Sequence, residues 1–166
     1  FTGRLLDKTH HGKTISMQFS LHIENREKMH KHPVLSALEL PHNFKYPLSY
    51  VEFFTLPQQE LDIDPWWFLC LHHQAMQDWY VELKRQYPNR SLIPFAKLSY
   101  NDDVACFDGH DTSGNPKVHY VHACASEGWE DKGHVADFTA WLNLAKQESL
   151  EYKTEFDTSS DIETNH

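Results

Sequence analysis

Three short apolar runs separated by turn-forming segments restrict the fold of this chain more than any other feature. Residues 91–96, 104–107 and 117–123 are rich in residues that favour strands. The intervening segments, 101–103 and 109–116, contain Asp, Asn, Gly and Pro, which favour tight turns. Strands joined by such short turns pair in opposite directions, so the sequence predicts an antiparallel meander.

One helix is expected before this meander in the sequence, and another after it. In the first, from about Gln74 to Gln86, large apolar residues recur at helical spacing: Met76, Trp79, Tyr80, Leu83 and Tyr87. The second is expected from about Val135 to Tyr152, with an inner stripe of Phe138, Trp141, Leu142, Ala145, Ser149 and Tyr152. The pattern therefore predicts a chain of mixed α and β structure.

The segments before the first helix give less uniform signals. Residues 50–56 are rich in strand formers and favour a strand. Residues 61–71 become nearly all apolar, which fits either a buried strand or the start of a short buried helix. Residues 14–23 place an apolar residue at every second position, which predicts a strand with one buried face.

The chain has 166 residues, which fits a single domain. We expect residues 1–32 to form an N-terminal strand segment that can join the same sheet. Residues 33–152 are expected to form the main domain. The acidic and polar residues 153–166 are expected to form a flexible tail.

Charge disfavours one class of partner. Lys and Arg number 15 against 24 Asp and Glu, a formal net charge of −9 with His neutral. An acidic surface repels phosphate backbones, so we expect no nucleic-acid binding. The same charge suits a basic protein partner, although it can also serve solubility alone.

Neither a membrane span nor a disulfide framework is expected. No run approaches the roughly 18 apolar residues that a membrane helix needs, and no signal peptide is visible, which favours a cytoplasmic protein. The three cysteines, an odd number without a CxxC pair, lie in apolar runs and are expected to be buried free thiols: Cys70, Cys106 and Cys124.

No local pattern indicates catalysis, a cofactor or a metal. The 13 histidines include His119 and His122, which would point to opposite faces of a strand, and no HExxH or Cys/His zinc spacing occurs. Residues 108–115 have the composition of a calcium loop but lack the ligand order of an EF-hand. Nucleophile elbows and phosphate-binding loops are also missing from the sequence.

The order of several motifs between residues 62 and 152 resembles the SUKH superfamily. The matching segments are Asp64-Pro65-Trp66-Trp67, Trp79-Tyr80-Val81-Glu82-Leu83-Lys84, Tyr87-Pro88-Asn89-Arg90, Leu92-Ile93-Pro94-Phe95-Ala96, Asn101-Asp102-Asp103-Val104-Ala105-Cys106-Phe107-Asp108, Val118-His119-Tyr120-Val121-His122, Gly128-Trp129-Glu130 and Phe138-x-x-Trp141-Leu142. This superfamily includes many bacterial toxin-immunity proteins and the fungal cell-wall synthesis regulators. The resemblance implies an α+β fold in which helices flank an antiparallel-rich mixed sheet. It also implies a non-catalytic protein whose aromatic motif residues are mainly structural.

On this basis we expect an immunity protein that neutralises a cognate bacterial toxin by binding it. The partner would be a basic toxin or effector. Adjacent tryptophans on a strand face opposite ways, so one of Trp66 and Trp67 can face outward as an anchor. The expected partner contacts are these tryptophans and nearby acidic clusters: Asp62, Asp64, Trp66, Trp67, Asp102, Asp103 and Asp111.

Two alternatives stay open at this point. One is a small-ligand-binding or metal-dependent hydrolytic domain that uses His and Asp residues around the meander. The other is an intracellular scaffold or regulator, as among the fungal relatives. Bound metal in the purified protein would favour the first, and a host partner that is not a toxin would favour the second.

Overall fold

Five antiparallel strands form the sheet of this protein, in the spatial order β1-β2-β3-β4-β5. The computed structural model describes residues 35–36, 39–72 and 74–160. The strands are β1 (Trp66–Phe68), β2 (Leu92–Leu98), β3 (Asp103–Asp108), β4 (Val118–His122) and β5 (Asp131–Val135). The helices are α1 (Leu48–Phe53), α2 (Ala75–Gln86) and α3 (Phe138–Ser160), with 3₁₀ turns at Gln58–Leu61 and Leu69–Leu71.

Helices cover both faces of the sheet. On one face, α1 and α3 enclose an aromatic core in which Phe95 stacks on Phe107 at 4.2 Å and meets the Trp141 ring edge-on at 4.8 Å. On the other face, Leu83 and Tyr87 near the end of α2 pack with a second buried cluster that contains Leu92, Val104, Cys106, Val121 and Ala123. The edge strand β5 and the turns at the strand ends are left to solvent.

The predicted α+β single-domain fold is confirmed. The three strand segments of the meander become β2, β3 and β4, and each pairs with its sequence neighbour in the antiparallel sense. The helix predicted from about Gln74 to Gln86 forms from Ala75 to Gln86. Within residues 61–71 both readings hold in part, since a short strand is followed by a 3₁₀ turn.

The strand expected at residues 50–56 is wrong, because α1 begins at Leu48 and ends at Phe53. Tyr50, Phe53 and Phe54 are spaced i, i+3 and i+4, which places them together against the core. Tyr50 contacts Phe107 at 5.3 Å and Phe138 at 5.2 Å. This packing on the sheet outweighs the strand preference of the individual residues.

Two other elements differ from expectation. Strand β5 was not predicted, because four of its five residues are exposed and it has no buried alternation. The last helix begins at Phe138 rather than near Val135, and it continues past Tyr152 to Ser160, so the first part of the expected flexible tail is helical. Residues 161–166, the strand predicted at 14–23 and the whole 1–32 segment lie outside the described residues.

The described helices were also compared with the requirements for crossing a bilayer. Within the part of the chain that the structure covers, none combines enough length with enough apolar character to span a membrane.

Candidate functional site

Three separate segments of the chain meet at one end of the sheet. The register pairs Trp66 with Leu98, Asp103 with His122, and Val121 with Asp131. The segment before β1, the β2–β3 turn and the β4–β5 turn therefore all lie at the same end. Five strands spaced about 4.8 Å apart make this end about 19 Å wide.

Acidic and aromatic side chains are concentrated there. We use the name strand-end surface for six exposed residues: Asp62, Asp64, Tyr100, Asp102, Glu127 and Trp129. Trp129 is 79% exposed and Tyr100 is 66% exposed, both high values for aromatic side chains. The other members are carboxylates, so this end combines negative charge with uncovered apolar area.

The segment before β1 is fixed by local hydrogen bonds. The Asp62 carboxylate accepts the backbone N–H of Asp64 at 3.3 Å and pairs with Lys153 of α3 at 3.1 Å. The amide of Asp64 first, and then Lys153, hold the pKa of Asp62 below its usual value. Asp62 is therefore ionised at neutral pH and keeps this part of the surface negative.

The β2–β3 turn is held from beneath by a lysine and an asparagine. Lys97 Nζ donates to the backbone carbonyl of Asn101 and lies 3.7 Å from the Asp102 carboxylate. The side-chain oxygen of Asn101 accepts the N–H of Asp103 at 2.8 Å. The Asp102 carbonyl also accepts the N–H of Ala123 at 2.9 Å, which ties this turn to the start of the next one.

The β4–β5 turn carries the most exposed tryptophan, and the end of α2 holds it. We call residues 123–130 the Trp129 loop. The Tyr87 hydroxyl donates to the carbonyl of Ala125 at 3.0 Å, and Gln86 accepts the N–H of Cys124 at 2.7 Å. Buried Glu130 accepts from Arg90 at 3.0 Å and from the N–H of Gly128 at 2.6 Å.

Glu130 links this loop to the pH dependence of stability. Burial acts to raise the pKa of its carboxyl, but the amides of Glu130 and Gly128 and the Arg90 guanidinium outweigh burial, so the pKa lies below the usual 4.5. The stabilisation is thus fully present above about pH 4.5, the pKa expected in the unfolded chain, and is lost as pH falls through the lower native pKa.

We expect Glu130→Gln to flatten the acid side of the stability profile. Urea unfolding between pH 5 and 3 should show a shallower fall than in the wild type, by at most about 1.4 kcal/mol per pH unit, the slope of one proton. Glu127→Gln removes one exposed carboxylate from the same turn and is the matched control. Superimposable profiles for wild type and Glu130→Gln would contradict the role given to Glu130.

The structure brings together part of the predicted contact set. Asp62, Asp64 and Asp102 all lie on the strand-end surface. Asp103 is at the same end but half-buried, and its carboxylate contacts His122 Nδ1 at 2.6 Å. Asp111 lies in the β3–β4 turn at the opposite end of the sheet, so it is separated from the others by the length of the strands.

The two tryptophans do face opposite sides of the sheet, but neither is an exposed anchor. Trp66 is 3% exposed, lies in the core beside Trp141 at 5.6 Å and donates its indole N–H to Glu148 at 2.6 Å. Trp67 is half-buried and meets the ring of His72 at 4.7 Å. Trp66 therefore offers a partner no surface in this fold, which corrects its place among the expected contacts.

The exposed aromatic residues at this end that sequence reasoning missed are Tyr100 and Trp129. Both lie in turns, where hydrophobic periodicity gives no information about burial. One signal was available: Trp129 follows a glycine and is surrounded by polar residues, so no neighbouring apolar run could cover it. The exposed tryptophan of this protein lies in a turn, whereas the adjacent pair in β1 is buried or half-buried.

Histidine and aspartate residues also meet on the sheet, away from the strand-end surface. His119 lies 3.8 Å from the Asp108 carboxylate, and its ring is 5.7 Å from that of His134. Burial first, and then the charge of Arg90, lower the pKa of His119. Among the described residues, no group of three or more His, Cys, Asp or Glu side chains is placed to hold a metal ion.

A cavity of about 450 Å³ opens where the end of α2 meets the segment before α1. Lys84, Arg90 and His110 supply its basic groups, and Tyr80 closes one side by donating its hydroxyl proton to the Glu39 carbonyl at 2.8 Å. The guanidinium of Arg90 is already paired with Glu130. The cavity is large enough for a small ligand, but one of its strongest cationic groups is engaged elsewhere.

The cysteines divide into two kinds. Cys70 and Cys106 are buried, and burial raises the pKa of both thiols, that of Cys70 to about 12. Cys124 is exposed, which corrects the expectation that all three are buried. It lies two residues past the end of β4 in a left-handed backbone conformation, with φ of 64°, outside the apolar environment of the strand.

Comparison of the chain with protein-family models, with curated proteins and with solved structures gives no match.

Proposed function

We propose that this protein is a non-catalytic protein-binding module that acts in the bacterial cytoplasm as an immunity protein, neutralising a cognate toxin by binding it. The observation that carries the proposal is the strand-end surface. It gathers carboxylates and two exposed aromatic rings from three distant segments. The resemblance of the motif order to the SUKH superfamily also supports this proposal.

The charge of the surface favours a basic partner. Asp62 and Asp102 have lysine neighbours at 3.1 and 3.7 Å, but Lys97 is mostly buried beneath the turn. The remaining acidic members, together with Asp131 at the start of β5, are exposed. A net charge of −9 adds a long-range attraction that accelerates encounter with a basic toxin.

The aromatic residues supply the short-range part of recognition. Tryptophan and tyrosine are enriched among the residues that contribute most of the free energy of protein association. Tyr100 stacks on Tyr152 of α3 at 6.5 Å, which orients its ring while leaving most of it exposed. Binding at this end would cover a functional surface of the toxin without any chemical step in the immunity protein.

One observation favours the alternative of a small-ligand-binding domain. The cavity of about 450 Å³ near Arg90 would suit a small anionic ligand, which is the binding part of the hydrolytic alternative. A thermal-shift screen with inorganic phosphate and small carboxylates separates the two proposals. A saturable rise in melting temperature that is lost in Lys84→Ala would favour the ligand.

The proposed function is tested by growth protection. Candidate toxin genes from the chromosome of the source organism, beginning with those beside this gene, are induced in a sensitive host with and without the protein. We expect wild type to restore colony formation against one of them, and Asp62→Lys/Asp102→Lys to restore it less. If none of the toxins is suppressed by the wild type, the immunity proposal is wrong.

A further inference from the structure

We propose that the Trp129 loop is a preformed docking element, and that its indole receives an arginine or lysine side chain of the basic partner. This inference rests on the proposed function, because it assigns the anchor within the strand-end surface. It also gives Glu130 and Arg90 a role as positioning residues, which hold the loop without touching the partner.

The exposure of Trp129 is unusual within this chain. The protein has five tryptophans: Trp66 and Trp141 are buried, Trp67 and Trp79 are half-buried, and Trp129 is 79% exposed. Leaving so large an apolar ring in water forgoes the free energy that burial would provide, roughly 25 cal/mol for each Å² of apolar area. A bound partner would cover it.

The loop that presents this ring is restrained along its length. Its first residues are held by Gln86 and Tyr87, and its last by the buried Glu130. Between them, the N–H of Trp129 donates to the carbonyl of Ser126 at 2.9 Å. Because the backbone is already ordered in the free protein, binding requires little further loss of conformational entropy.

The surroundings of the ring select a cation. Glu127 and Asp131 lie two residues before and two residues after Trp129, and both are exposed. Glu130, between them, turns inward to Arg90. An arginine or lysine placed on the indole face gains a cation–π interaction, and the neighbouring carboxylates add attraction that an aliphatic side chain would not receive.

A library of random peptides displayed on phage tests this inference without a known toxin. The full-length protein is the target, and selected peptides are resynthesised for affinity measurement by calorimetry. We expect them to be enriched in Arg and Lys. Their affinity should fall about tenfold to hundredfold with Trp129→Ala, and about threefold with Trp129→Phe. Leu48→Ala truncates an exposed apolar residue of α1 and should leave peptide affinity unchanged.

A second variant tests the positioning role. Glu130→Gln keeps the size of the side chain but removes the charge that Arg90 and the Gly128 N–H contact. We expect weaker peptide binding together with faster hydrogen exchange at the Gly128 and Cys124 amides, while amides of β3 exchange as in the wild type. Unchanged exchange in the loop would overturn the positioning role.

The outcomes distinguish two kinds of failure. Basic peptides that bind wild type and Trp129→Ala equally, but are lost with Asp62→Lys/Asp102→Lys, would overturn the anchor and leave the proposed function standing. If no peptide is enriched, or if the selected peptides are not basic, this inference is wrong, and growth protection decides separately whether the proposed function stands.

Discussion

Trp141→Ala should lower the free energy of unfolding by about 3–5 kcal/mol, the range for a large buried aromatic residue. The side chain is fully buried, and its ring lies within 6 Å of Trp66, Phe68, Phe95 and Phe138. Its removal leaves a cavity between α3 and the sheet that these rigid rings fill poorly. Urea unfolding followed by circular dichroism at 222 nm measures the loss.

Two comparisons make this result specific. Trp141→Phe keeps most of the packing and removes an indole N–H that has no hydrogen-bond partner among the described residues. It should therefore lower the free energy of unfolding clearly less than Trp141→Ala does. Trp129→Ala removes the same type of side chain from an exposed turn and should change stability by less than about 0.5 kcal/mol. Equal losses for Trp141→Ala and Trp129→Ala would refute the assignment of one to the core and the other to recognition.

Asp62→Lys/Asp102→Lys should slow association with the basic toxin proposed as the partner by about tenfold to hundredfold at low salt. Reversing two exposed charges turns local attraction into repulsion during encounter, whereas contacts in the bound state change less. The dissociation rate should therefore change by less than about threefold. Stopped-flow or surface-based kinetics over a range of ionic strengths measure both rates.

The control for this variant has the same change in total charge. Glu52→Lys/Asp111→Lys reverses an exposed carboxylate in α1 and a half-buried one in the β3–β4 turn, neither of which belongs to the strand-end surface. With both variants compared at physiological salt, its association rate should stay within about threefold of wild type, since screening there limits the reach of exposed charges to about 8 Å. If both variants slow association equally, net charge alone matters and the strand-end surface is not the docking site.

The meander was predictable because its information is local. Short runs of strand formers separated by Asp, Asn and Gly turns specify β2, β3 and β4 without knowledge of the rest of the chain. The helix around Tyr50 was not predictable in this way, because its residues fit a strand by composition and a helix by spacing. Packing against Phe107 and Phe138 decides between them, and that contact is distant in sequence.

The candidate site was only partly predictable for a related reason. The acidic residues at Asp62 and Asp102 are visible in sequence, but only the strand register brings them to one end. Next to the exposed Trp129, Glu130 turns inward to Arg90 and forms an ion pair across 40 positions of sequence. No local pattern distinguishes a glutamate that holds a loop from one that faces solvent.

Photo-cross-linking in living cells tests whether Trp129 contacts a basic protein partner. The variants Trp129→p-benzoylphenylalanine and Leu48→p-benzoylphenylalanine are expressed in the source organism and irradiated, and the adducts are identified by mass spectrometry. We expect a discrete adduct with one basic protein from position 129 and none from position 48. No adduct from position 129, or the same adduct at equal yield from both positions, would contradict it.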